Sequence, residues 1–115
     1  MSDLIMLRDQ LRRFASDRDW DQFHSPKNLA AALAVEAAEL LEPFQWLTEA
    51  QSRALSPQQA EAVRAEVADV FIYLVRLADK LDIDLIAAAR EKVIENEKKY
   101  PVDKARGSNR KYTEF

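Results

Sequence analysis

The sequence predicts an all-α fold, an antiparallel four-helix bundle with a basic C-terminal tail, and three observations predict it. The 115 residues include one glycine and four prolines, which leaves few places for tight turns and argues for long elements with few connections. Apolar residues recur at alternating three- and four-residue steps in several segments, the mark of amphipathic helices. Two Ser-Pro pairs stand at the starts of such segments, where serine caps a helix and proline occupies its first position.

The elements follow in order. Leu4, Leu7, Leu11 and Phe14 form one stripe of a first helix that ends near "SDRDW". A polar and aromatic loop, "RDWDQFHSPKN", leads to Ser25-Pro26, which opens a second helix running to about Glu42, where Pro43 closes or kinks it. Ser56-Pro57-Gln58-Gln59 repeats the start signal with the Ser-x-x-Gln spacing of a capping box. The long third helix keeps Val63, Val67, Val70, Leu74, Leu77 and Leu81 in heptad-like steps. Asp82 or Asp84 caps a fourth helix that reaches Lys99 or Tyr100 before Pro101 stops it. Residues 1–100 read as one helical domain and residues 101–115, "PVDKARGSNRKYTEF", as a tail without sustained period. Thr48–Leu55 reads only as a connection.

Composition narrows the function classes. The chain has no cysteine and one histidine, which excludes disulfides, zinc–thiolate sites and multi-histidine metal sites. A formal charge of −3 gives no general pull toward nucleic acid or membrane. The longest apolar runs, "LAAALAV" and "VFIYLV", are too short to span a bilayer. The amino terminus carries acid and lacks a basic n-region, so no secretory signal is expected and the expected location is cytoplasmic.

The chemistry lies in acidic pairs. Glu36 falls on the helical line Leu29, Leu33, Glu36, Leu40, and Glu39 is its three-residue neighbour. Glu66 and Asp69 repeat the spacing on the third helix among Ala62, Val63, Val70, Ile72 and Tyr73. A single pair of this kind most often marks a solvated face, and Glu42, Glu61, Glu91 and Glu97 are left under that reading. Two pairs on apolar borders are different. If the stripes face each other, four carboxylates converge, and like charges that close raise one another's pKa unless a cation is present. Hard divalent ions such as Mg²⁺ take oxygen ligands and also grip phosphates. A di-iron centre needs Glu-x-x-His pairs on two helices, and His24 belongs to neither pair.

Glu36-x-x-Glu39, a gap of 26 residues and Glu66-x-x-Asp69 resemble the signature of the MazG-like all-α nucleoside triphosphate pyrophosphohydrolases. With "RDWDQFHSPKNLA", "EPFQWL", "EVADVFIYLVRLADKLDIDL", "NEKKYP" and "SNRKYTEF", the chain is similar to the dCTP pyrophosphatase branch from Phe14 to Phe115. The resemblance implies Mg²⁺-dependent hydrolysis of a deoxynucleoside triphosphate, dCTP or a modified dCTP, to the monophosphate and pyrophosphate, in nucleotide-pool house-cleaning. It implies Glu36, Glu39, Glu66 and Asp69 as metal ligands, with Glu36 or Glu39 accepting the proton of the attacking water. Where the animal enzyme of the branch carries a histidine near the end of helix one, this chain has Leu11, which leaves the preferred base open.

Substrate contacts follow the same resemblance. Trp20, His24, Trp46 and Tyr73 are base-pocket candidates, although each alone reads as packing. From Lys98 to Lys111 six basic residues face one acid, Asp103. Lys92, Asn96 and Lys99 share a helix face that would meet the triphosphate, with Arg110 and Lys111 closing over it. Family members form dimers or tetramers, so a homo-oligomer is expected, with no nucleic acid or membrane partner. The competing readings are the same reaction on another nucleotide such as dUTP, or a helical interaction module with merely solvated acids.

Overall fold

The computed structural model describes residues 2–115 and is all-helical, with no strand among them. It divides into two compact units, one ending at Asp82 and the other Ile83–Phe115. The first holds α1 (Asp3–Asp17), α2 (Pro26–Leu41), α3 (Glu49–Ser52) and α4 (Pro57–Lys80). The second holds α5 (Leu85–Lys99), α6 (Val102–Ala105) and a 3₁₀ turn, Tyr112–Glu114.

Local chemistry starts these helices where expected. The Ser25 hydroxyl accepts from the Asn28 N–H at 3.1 Å with Pro26 inside the first turn. Ser56 and Gln59 form the reciprocal capping box of α4, and Asp84 caps α5 by accepting from the Ala87 N–H at 3.0 Å. Such caps each contribute about 1 kcal/mol. The short α3 lies inside the stretch read as a plain connection. Its signal was legible, because Thr48 and Gln51 close a second capping box of the same type. Asp19 and Asp82 adopt φ of 54° at the ends of α1 and α4, a left-handed turn that aspartate tolerates better than most residues.

In the first unit α4 packs against both α2 and α1. Leu29 and Ala15 are each 1% exposed, Val75 3% and Ala78 7%. Burying Leu29 contributes about 1.5–3 kcal/mol. On α2 the predicted line holds, since Leu33, Glu36 and Leu40 are partly buried in succession to Leu29. On α4 the anticipated stripe holds in part, with Val63, Val70, Leu74 and Leu77 partly buried. Val75 and Ala78 are the buried pair, while Val67 and Leu81 stay about half exposed. Apolar residues occupy several faces of α4, so periodicity alone cannot say which face meets α1 and α2. An ion pair adds direction: the Arg12 guanidinium grips the Asp79 carboxylate with two nitrogens, one at 2.7 Å, tying α1 to the end of α4. The Arg12 hydrogen bond holds the Asp79 carboxyl below its usual range.

In the second unit residues 101–115, which carry no sustained period, contain α6 and the 3₁₀ turn. Tyr100 meets Tyr112 at 6.0 Å and Phe115 at 5.8 Å, both edge to face, and Lys99 Nζ stands 4.8 Å over the Tyr112 ring. Gly107, at φ 73°, supplies the left-handed turn between α6 and the last residues.

Candidate active site

α2 and α4 carry the two acidic pairs, and their packing brings three of the four carboxylates together. Glu36, Glu39 and Glu66 each offer an oxygen, and these oxygens lie within 4.8 Å of one another. Opposite ligands of an octahedral Mg²⁺ sit about 4.2 Å apart, so small side-chain movements would close the three around one ion. Asp69 is outside that tight group and exposed. It is still near enough for its charge to act on both Glu36 and Glu66.

The electrostatics match that crowding. Glu36 is pushed up to about 7, first by loss of water and then by Glu39, Asp69 and Glu66. Glu66 is raised chiefly by desolvation and by Glu39, and Glu42 adds to it. Among the described residues one carboxylate oxygen each of Glu36 and Glu66 is buried with no hydrogen-bond partner. A buried acceptor left unpaired costs about 1–3 kcal/mol, and more when charged. Oxygen-rich, undersupplied with donors and mutually repelling, the donor set fits a hard divalent cation. Beside it a cleft of about 610 Å³ is lined by Glu39, Glu42 and Pro43 on one side and by Ser56, Gln59, Ala62 and Glu66 on the other. That volume is in the range of small-molecule sites. Glu42, unassigned from sequence, thus borders the cleft.

Of the aromatic candidates, the structure brings Trp20 and His24 together, their rings 6.4 Å apart, and Phe14 meets Trp20 edge-on at 5.7 Å. Trp46 ends the turns that follow Pro43 and is 86% exposed. Tyr73, one turn beyond Asp69, is partly buried. In the second unit, Glu95 holds both Lys92 and Lys99 at 3.2 Å, while Asn96, Arg110 and Lys111 are exposed.

The MazG-like family profile matches residues 31–115, a span that contains both acidic pairs. The chain belongs to the MazG-like family. Among its relatives, human dCTP pyrophosphatase 1 is 47% identical over 104 residues, and the rat protein of the same name is 46% identical over the same length. Those alignments cover 89% of this chain and 61% of the relative, so this MazG-like chain spans about three-fifths of their length. A solved pyrophosphatase from Archaeoglobus fulgidus superposes with a TM-score of 0.83 at 40% identity, over 88% of this chain and 94% of the other.

Two residues of this MazG-like protein escaped sequence reasoning. Arg76 is 4% exposed, the one buried charged residue among those described. Its Nη2 donates to Asp21 Oδ1 at 3.0 Å and lies 3.1 Å from His24 Nδ1. Lys80 Nζ donates to the same Asp21 oxygen at 2.7 Å, and Lys80 and Arg76 together lower the Asp21 carboxyl below its usual range. The available signal was an arginine inside the apolar run "VFIYLVRLADKL".

Proposed function

We propose that the chain hydrolyses a deoxynucleoside triphosphate, dCTP or a modified dCTP, to the monophosphate and pyrophosphate with Mg²⁺. The observation that carries this reading is the convergence of Glu36, Glu39 and Glu66, with two buried carboxylate oxygens lacking any partner. The family supports it, as does likeness to proteins named dCTP pyrophosphatase 1 and to a solved pyrophosphatase. Glu36, Glu39 and Glu66 would hold Mg²⁺, with Asp69 as the fourth carboxylate beside them. Bound there, the ion supplies charge neutralisation for the triphosphate and lowers the pKa of a coordinated water.

The chain's own groups do the rest. Glu36 or Glu39 accepts the proton of the attacking water. Trp20, His24, Trp46 and Tyr73 bind the base, with the exposed Trp46 indole offering an apolar face. The shared helix face of Lys92, Asn96 and Lys99, together with the basic Arg110 and Lys111, is assigned to the phosphates. A homo-oligomer, dimer or tetramer, is the proposed state, supported by Met6, Val35, Leu41, Val67 and Phe71, which are 43% to 59% exposed and leave apolar surface uncovered.

Purified protein incubated with dCTP and Mg²⁺ is expected to release pyrophosphate and dCMP. Orthophosphate as first product would sink the proposed cleavage. A panel of dCTP, methylated dCTP, dUTP, dTTP, dATP, dGTP and CTP ranks the bases.

A further inference from the structure

The lone histidine is held from behind by a buried cation. Arg76 Nη2 lies 3.1 Å from His24 Nδ1. A guanidinium has five donors and no acceptor, so this contact is a hydrogen bond only when Nδ1 carries its lone pair. That places the ring proton on Nε2 and makes the ring neutral. The same Nη2 is anchored by Asp21 at 3.0 Å, and Asp21 is clamped in turn by Lys80 at 2.7 Å. Arg76 Nη1 faces Asp79 Oδ2 at 3.6 Å, and Asp79 is itself held by Arg12. Four charged side chains from α1, α4 and the loop thus fix where the guanidinium stands.

We infer that Arg76 is a positioning residue, holding His24 in the neutral Nε2–H tautomer so that the ring presents a single fixed hydrogen-bond donor beside Trp20, on the base side of the nucleotide site. The inference deepens the proposed function and rests on it for the identity of the ligand. The chemistry it selects is an acceptor on the substrate, such as a pyrimidine carbonyl or ring nitrogen. A freely tautomerising imidazole would offer donor or acceptor equally and discriminate less.

The charges that act on the ring are Arg76 and Lys80 from α4 and Asp21 on its own loop; Arg12 of α1 pairs with Asp79. Burial comes first and Arg76 second in lowering His24 from its ordinary 6.5, Lys80 adds to this, and Asp21 opposes it. The neutral ring, with Nδ1 free to accept from Arg76, therefore persists to more acidic pH than in a free histidine.

Because the chain has one histidine, its side-chain ¹⁵N spectrum reports this ring alone. The wild-type protein is expected to show Nε2 protonated, Nδ1 bare and a titration midpoint below 6.5. Arg76→Met is expected to mix the tautomers, move the midpoint up toward 6.5 and raise KM for dCTP more than it lowers kcat. Gln ends near the Nε2 position and Asn near Nδ1, so His24→Asn should raise KM about ten-fold more than His24→Gln, the worth of one hydrogen bond. A protonated Nδ1 or mixed tautomers in the wild type would overturn the inference. So would an Arg76→Met spectrum identical to wild type, or equal KM in the two His24 variants. Should Arg76→Met fail to fold, the wild-type spectrum and the His24 pair decide. A wild type with the expected spectrum but no hydrolysis of any nucleotide would defeat the proposed function and leave the Arg76–His24 tautomer lock standing.

Discussion

Replacing Glu36 by glutamine keeps nearly the shape of the protonated side chain and removes its charge. In the metal-free protein the Glu36 carboxyl is pushed up from 4.5 to about 7. Between those values the folded state holds a proton that the unfolded chain has released. The unfolded state binds fewer protons, so this group makes stability fall as pH rises through the window. One proton sets a ceiling of about 1.4 kcal/mol per pH unit, or about 6 °C of Tm per unit for a chain of this size. His24 works in the opposite direction. Its folded pKa is depressed below 6.5, so its contribution to stability grows as pH rises toward 6.5. Subtracting the Glu36→Gln curve from the wild type removes that shared background. Circular-dichroism melts in EDTA should show the two proteins alike near pH 4.5 and the variant more stable above pH 7. Adding Mg²⁺ should then raise the wild-type Tm and raise the variant's much less, since an ion at 100 times its Kd stabilises by about 2.7 kcal/mol. A difference that does not change with pH, or equal Mg²⁺ stabilisation of both proteins, would refute the crowded-carboxylate account.

Activity of the same Glu36→Gln variant should fall at least about 100-fold, because even partners of metal ligands cost 10–100-fold when removed; a pyrophosphate-release assay measures it. Leu29→Ala deletes the one large side chain that is fully buried among the described residues, and urea unfolding should show a loss of about 3 kcal/mol. Leu41→Ala, 59% exposed on the same helix, should cost a fraction of that in dilute protein, and a Tm that varies with protein concentration would report subunit contacts covering it. Asp79→Asn removes the charge gripped by Arg12 and should cost about 1.5–3 kcal/mol. Because the Asp79 pKa is lowered from 3.8, that stabilisation is present above 3.8 and lost as pH falls below it, which acid unfolding of the two proteins can compare. Trp46→Ala should leave the melting curve within about 0.5 kcal/mol, as expected for a surface site, yet raise KM for dCTP. An unchanged KM would remove Trp46 from the base pocket.

The two acidic pairs illustrate how far the chain could be read in advance. Glu36 and Glu39 are three apart on one helical line, so their shared face follows from helix geometry, and the partly buried run Leu29, Leu33, Glu36, Leu40 agrees. Helix starts were legible for the same local reason. Ser25, Ser56 and Asp84 each accept from an N–H three residues on. Thr48 does likewise, and the same spacing rule would have found α3.

What local rules could not supply is any contact between distant residues. Glu66 stands 27 residues beyond Glu39, and its meeting with Glu36 and Glu39 depends on the rotation of α4 against α2. The inward face of α4 centres on Val75 and Ala78, with Val63, Val70, Leu74 and Leu77 of the heptad-like stripe only partly buried and Val67 and Leu81 half exposed, because a helix apolar on several sides leaves its rotation to be settled by packing and ion pairs. Arg76 reaches Asp21 and His24 across 55 and 52 residues, and Arg12 reaches Asp79 across 67. By itself, then, the sequence determined the helices, their caps and the pairing of acids along each helix, because all of these are interactions within one turn. Only the tertiary structure decided that three carboxylates converge, that Asp69 stands just outside them, and that a buried arginine grips the single histidine. Each of those depends on the relative rotation of packed helices, which the sum of long-range contacts selects and no single helix encodes.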